Sequence, residues 1–197
     1  MKNNQSGRSM VEMLGVLAII GVLSAGGLAG YSKAMFKHKL NSTMDQITML
    51  VTNIRTMYGT QGNYKDLDND AAVDLGIVPP VMVGTKGTEA NAKTPLTNPF
   101  KGKVTIAALP TLGQVTYGGF TVEYDGLPVE ACIALATADF GSGAGSGFIG
   151  AKINNVDPSG EYGNANSHKE GSAYTMEGAL AQGACDQNTN KIVWTFY

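Results

Sequence analysis

Gly7-Arg8-Ser9-Met10-Val11-Glu12, followed by an uncharged apolar run over residues 13–31, decides how the rest of this chain is read. About 20 apolar residues suffice to cross the hydrocarbon core of a bilayer, so the run implies a membrane stage. Glu12 stands just inside its start, where a charge costs roughly 2.5–3.5 kcal/mol on insertion scales. An acid kept at that cost is a candidate functional residue. It also argues against an ordinary cleaved signal peptide, whose apolar region lacks charge and ends at a small-residue site. Ser24-Ala25-Gly26 loosely imitates such a site but leaves Glu12 unexplained.

Working outward, residues 8–58 read as one long helix with two halves. The first half is apolar all round, as lipid or a filament core requires. In the second, Leu40, Met44, Ile47, Val51, Ile54 and Tyr58 recur at alternating spacings of four and three. That is one helical face, broadened by Leu50 and Met57, with Asn41, Asp45, Thr52 and Arg55 placed away from it. Gly59 and Gly62 end the helix. At 1.5 Å per residue such a rod runs ~75 Å, so half of it is expected to protrude from a head of ordinary size. Gly26, Gly27 and Gly30 cluster inside it, each costing about 1 kcal/mol relative to Ala. They are the weakest part of the rod. Small residues there either let helices pack closely or mark a segment that melts during assembly.

Beyond Gly62 the pattern is that of an α+β head. Residues 64–75 suggest a short helix stopped by Gly76 and Pro79-Pro80, and residues 104–109 and 115–124 read as strands. Leu127-Pro128-Val129-Glu130 starts a helix that carries Cys132, Ile133 and Leu135 toward the core. Residues 148–153 form another strand, and residues 154–172 are polar and Gly-rich, hence a loop. Thr175 is placed as the cap of a short helix ending at Gly183. The finish, Lys191-Ile192-Val193-Trp194-Thr195-Phe196-Tyr197, alternates as a strand with Ile192, Trp194 and Phe196 on one side. A strand this apolar has to be inserted in the sheet.

Charge is divided unevenly. Up to Leu40, Lys2, Arg8, Lys33, Lys37 and Lys39 face Glu12 alone, a net +4 that leaves −6 for the remainder of a chain at −2. That balance gives no footprint for nucleic acid. Lys86, Lys93, Lys101 and Lys103, interrupted by Glu89, are read as a solvated loop. Cys132 and Cys185 are the only cysteines, with no C-x-x-C spacing. Metal and redox-motif readings fail on that spacing. In an oxidising compartment the two are expected to pair, stabilising the head by roughly 4 kcal/mol in the chain-entropy model. Two reduced, buried thiols are the other reading.

Catalytic patterns are missing from the sequence. His38 lies between two lysines and His168 in a polar stretch, with no G-x-S-x-G, P-loop or H-E-x-x-H motif. Asp66-Leu67-Asp68-Asn69-Asp70 opens like a calcium loop, but its sixth place is Ala71 and its twelfth Ile77, so it reads as a solvated acidic turn. We expect no enzyme activity, no metal and no cofactor.

Gly7 followed five residues later by Glu12 and an apolar helix resembles the class III signal of type IV prepilins. The resemblance implies that a prepilin peptidase cuts between Gly7 and Arg8, that Arg8 becomes the N-methylated first residue, and that Glu12 becomes the fifth, used in assembly. Further features are similar to the type IVb pilins, which include enteric adhesive pili and conjugative thin pili. These are Gly76-Ile77-Val78-Pro79, Asn98-Pro99-Phe100 before Gly102-Lys103-Val104, Leu127-Pro128 ahead of Cys132, and Cys185 before an aromatic final strand. The family pattern implies a leader over residues 1–7, an apolar helix over 8–35 and a head over 36–197. It implies a long helix packed on an antiparallel sheet, with Cys132 and Cys185 paired in the head. The expected partners are further copies of the chain, the peptidase, an inner-membrane assembly platform and an outer-membrane secretin. The expected locations are the inner membrane for the precursor and an extracellular filament for the mature subunit, serving adhesion, aggregation or conjugation. A minor pilin or type II secretion pseudopilin shares the same signal. A membrane-tethered binding protein is the third possibility, and it leaves Glu12 without a role.

Overall fold

Glu12 and the apolar run lie on a helix, α1, that extends from Met10 to Tyr58. The computed structural model describes residues 10–87, 93–112, 114–140, 147–154 and 184–197. Gly7, Arg8, His168, nearly all of the expected loop at 154–172 and the expected helix at 175–183 fall outside those residues. The chain divides into two compact units, Met1–Lys39 and Leu40–Tyr197.

In the second unit, α1 ends where Gly59 and the left-handed Gly62 interrupt it. The α2 helix follows at Asn69–Asp74, then a single 3-10 turn at Pro80–Met82. Among the described residues five antiparallel strands come next, with a helix between the third and fourth. They are β1 (Leu96–Thr97), β2 (Lys103–Leu112), β3 (Val115–Leu127), α3 (Val129–Ala136), β4 (Phe148–Ile153) and β5 (Asn190–Phe196). The sheet order is β1-β2-β3-β5-β4, so the last strand lies between β3 and β4.

Alternation along each strand delivers one apolar face, and the register stacks it into rows. Val104, Tyr124, Ile192 and Ile153 form one row, and Ile106, Val122, Trp194 and Ala151 the next. Ala108, Phe120, Phe196 and Phe148 make a third. Against them lies the helical stripe of Ile47, Leu50, Val51, Ile54 and Tyr58, all buried in the same core. Trp194 is 1% exposed, with Tyr124 and Phe140 edge-on at 5.7 and 5.6 Å. Burial alone pushes the Tyr124 hydroxyl pKa upward.

Four expectations need correction. Met57 faces outward at 44% exposure, while Thr43 and Gln46 join the buried face instead. Arg55 is not turned away. Its guanidinium lies 5.6 Å over the Phe196 ring and donates to the Tyr197 carbonyl at 3.2 Å. It fills the space beside left-handed Gly147, where a Cβ would collide with it. The helix expected over residues 64–75 starts only at Asn69, because Asp66 takes a positive φ and Asp68 caps the first turn through Ala71 N–H. It stops as expected at left-handed Gly76, where Gly76 and Ile77 N–H reach the Val73 and Ala72 carbonyls. Finally, the acidic turn is not merely solvated. Asp70 accepts from Thr94 N–H and from Lys86, and Asp68 pairs with Lys93. Two of the four lysines in the basic stretch are thereby neutralised.

The outer edge of β2 is closed residue by residue. Asn69 Oδ1 accepts from Ile106 N–H and its Nδ2 donates to the Val104 carbonyl, so one side chain replaces a strand. Ala108 N–H goes to the Leu67 carbonyl, and Pro110 has no N–H to offer. Such devices prevent edge-to-edge pairing with other chains.

Hydrogen bonds from Thr94 and Lys86 hold the Asp70 carboxyl down to about 2, against an ordinary value of 3.8. A depressed carboxylate stabilises the fold above its unfolded value and loses that contribution as pH falls through its folded one. The melting-temperature gap between the wild type and Asp70→Asn is therefore constant above about pH 4 and closes toward about pH 2. A gap independent of pH across that range contradicts the assignment.

Candidate functional site

In the first unit, helix α1 has no amphipathic pattern. Every side chain from residue 10 to residue 35 is exposed, among them Met10, Val11, Leu14, Leu17, Ile19 and Leu23. Apolar surface on that scale marks a contact with lipid or with another chain. The helix is long and apolar enough to cross a membrane. Glu12 occupies its first turn, where the positive end of the helix dipole favours a carboxylate. Gly26, Gly27 and Gly30 are helical, and a Cβ at any of them would meet no other atom within 4 Å. Nothing inside the described chain requires glycine at those places.

In the second unit, Cys132 and Cys185 are joined by a disulfide, with their Cα atoms 5.7 Å apart. Pro128 caps α3 in an extended conformation, which aims Cys132 and Leu135 into the core while Ile133 packs at its margin. The other half of the bridge is held by two amides that the sequence reading passed over. Asn190, fully buried at the start of β5, donates to the Leu127 and Gln187 carbonyls and accepts from Gln187 N–H and Asn154 Nδ2. Asn154, left-handed at the end of β4, donates to the Ala184 carbonyl at 2.6 Å and accepts from Lys191 N–H. Only their placement between apolar runs and a Cys hinted at this in the sequence.

Among the described residues no three His, Cys, Asp or Glu side chains converge as a metal ion would need. A shallow groove of about 350 Å³ runs between α1 and Phe140, lined by Met44, Val51, Arg55 and Phe196. Its one cation, Arg55, is already committed to Phe196 and Tyr197. The geometry that is chemically distinctive is therefore the outward apolar helix with an acid at its start, joined in sequence to a disulfide-closed sheet.

Comparison with known proteins agrees with that architecture. The Bundlin family model matches residues 33–197. Two curated relatives, from Escherichia coli O111:H- and from Escherichia coli O127:H6 (strain E2348/69 / EPEC), are each named the major structural subunit of bundle-forming pilus. Each is 25% identical over 194 residues, covering 98% of this chain and 95% of its own length. In fold, the chain is similar to a type IVb pilin from Salmonella typhi, with a TM-score of 0.54 at 23% identity, over 78% of this chain and 97% of the pilin. It is also similar to TcpA, a type IV pilin from Vibrio cholerae El Tor biotype, with a TM-score of 0.52 at 14% identity, over 81% and 99%. The fold is that of the type IVb pilins, and the chain belongs to the Bundlin family.

Proposed function

We propose that this chain is the major structural subunit of a type IVb-like pilus, polymerising through its N-terminal helix after a prepilin peptidase cuts between Gly7 and Arg8. The observation that carries the reading is the outward-facing apolar helix with Glu12 in its first turn. Membership of the Bundlin family, with relatives named as bundle-forming pilus subunits, supports it. The role is structural rather than enzymatic. The inner membrane holds residues 13–31 of the precursor, and an extracellular filament later buries the same run. An assembly platform in the inner membrane and a secretin in the outer membrane are the further partners this route requires. The fibre would serve adhesion, aggregation or conjugation.

Cleavage creates an α-amino group on Arg8, and N-methylation there leaves it cationic. Surrounded by apolar helices, that cation needs a counter-charge, and Glu12 of the neighbouring subunit supplies one. Head-to-tail pairing of this kind does not close on itself, so it generates a helical filament. Glu12 would thus recruit each incoming subunit and set its axial register. The glycines at 26, 27 and 30 would let this part of the helix melt as subunits are drawn together.

Removing one partner of a buried pair costs about 3–5 kcal/mol, or roughly a hundredfold and more in the equilibrium for adding each subunit. Glu12→Ala is expected to remain folded, inserted and processed while forming few or no fibres, as counted by electron microscopy and by the yield of sheared material. Wild-type fibre yield from that variant contradicts the role of Glu12.

Replacing Gly26, Gly27 and Gly30 together by Ala strengthens the helix by about 3 kcal/mol without a clash inside the chain. If melting accompanies assembly, this variant inserts normally yet assembles poorly, and circular dichroism of its fibres shows no gain in helix over the wild type. Normal yield with raised helix content removes the melting step from the account.

A further inference from the structure

Asn190 is completely buried, and every hydrogen-bonding position on its amide is used. Nδ2 donates to the Leu127 carbonyl at 3.3 Å and the Gln187 carbonyl at 2.7 Å, while Oδ1 accepts from Gln187 N–H and Asn154 Nδ2, both at 3.1 Å. A buried amide satisfied at all four positions has one orientation and resists leaving it. What it holds together is informative. Leu127 lies just ahead of the Pro128 cap of α3, which carries Cys132, and Gln187 lies two residues beyond Cys185. The Asn154 amide grips the other side of Cys185 through the Ala184 carbonyl at 2.6 Å, and its own carbonyl accepts from Lys191 N–H at 2.9 Å. The two amides therefore bracket Cys185 and set it against the start of the helix that bears its partner. None of these bonds involves sulfur.

We infer that Asn190, assisted by Asn154, templates the Cys132–Cys185 disulfide: in the reduced chain it already holds the two thiols at bonding range. The bridge then locks a geometry that the amides have built. The two cysteines are 53 residues apart in sequence. Without a template, their encounter would depend on closing a long flexible loop. The oxidant is any external disulfide. With glutathione disulfide, one cysteine thiolate attacks a glutathione sulfur and expels a glutathione thiolate. The second cysteine thiolate then attacks the mixed disulfide and expels the other. Two protein thiols and one glutathione disulfide give one protein disulfide and two glutathione thiols, the two electrons passing to glutathione. Asn190 takes no part in the exchange and acts as a positioning residue.

The test is the equilibrium of the full chain, in detergent micelles, with mixtures of reduced glutathione and glutathione disulfide. The fraction oxidised gives the effective concentration of one thiol at the other. It is measured under native conditions and in concentrated guanidinium chloride for the wild type, Asn190→Ala, Asn154→Ala and Asn98→Ala. Asn98 is a control: its amide organises the turn before β2, bonding Phe100 and Gly102 N–H and the Asp125 carbonyl, and none of these bonds reaches helix α3 or residues 184–187. The wild type should show a far higher effective concentration when native than when denatured. Asn190→Ala should lower the native value by about tenfold or more, and Asn154→Ala by less. Asn98→Ala should leave it unchanged, and all four should coincide in denaturant. If Asn190→Ala does not fold when reduced, Asn154→Ala decides the matter: a fall supports the template and a wild-type value overturns it. The inference is also overturned if Asn190→Ala matches the wild type, if Asn98→Ala falls as far, or if native and denatured wild type agree.

Discussion

An apolar helix facing outward along residues 10–35 has to be covered, and that requirement organises the rest of the chain. Lipid can cover it, and so can the same segment of other copies. Both environments exclude water, so both raise the value of a counter-charge for anything ionised within them. Glu12 is the acid that this segment carries, and the amino group released by cleavage would be a cation of matching depth. Precursor and filament are then two solutions to one solvation problem. The same exposed apolar residues would meet lipid in the one state and neighbouring subunits in the other.

The second half of α1 meets the opposite constraint. There one face is committed to the sheet, where Ile47, Leu50, Val51 and Ile54 lie against three rows of inward side chains. The topology places β5, the last strand described, between β3 and β4, so the sheet is complete only when residues 190–196 have been inserted. Long-range pairing of this kind is slow and leaves edges open meanwhile. Each end of β5 has its own fastening. Arg55 grips Phe196 and Tyr197, while Asn190 and the disulfide secure the other end. The edge of β2 is shut by Asn69 and Pro110, which disfavours strand pairing with other chains.

Much of this was legible in the residues. The four-three spacing located the buried stripe of α1, the alternation around Trp194 located the inserted strand, and Leu127-Pro128 located α3. The first two signals are strong because each repeats with the period of its element, and the third because Pro favours the start of a helix. What was missed has no period. β1 is two residues long and exists only because β2 is beside it. The start of α2 was set by the positive φ of Asp66 and the cap of Asp68, both of which a composition-based reading assigns to a loop. Asn69 and Asn154 fall in segments that read as a turn and a loop, and Asn190 belongs to no repeating pattern, yet tertiary placement makes all three hydrogen-bonding nodes of the unit. Arg55 looked like a solvent-facing cation because its partners, Phe196 and Tyr197, lie at the other end of the sequence.

In the proposed route, one polypeptide would pass from membrane to filament by losing its first seven residues. Intact mass and N-terminal sequencing of the protein recovered from sheared surface fibres test it most directly. A chain beginning at Arg8, lighter by two hydrogens for the Cys132–Cys185 bridge, is the predicted result. A full-length chain confined to the membrane fraction would contradict the account.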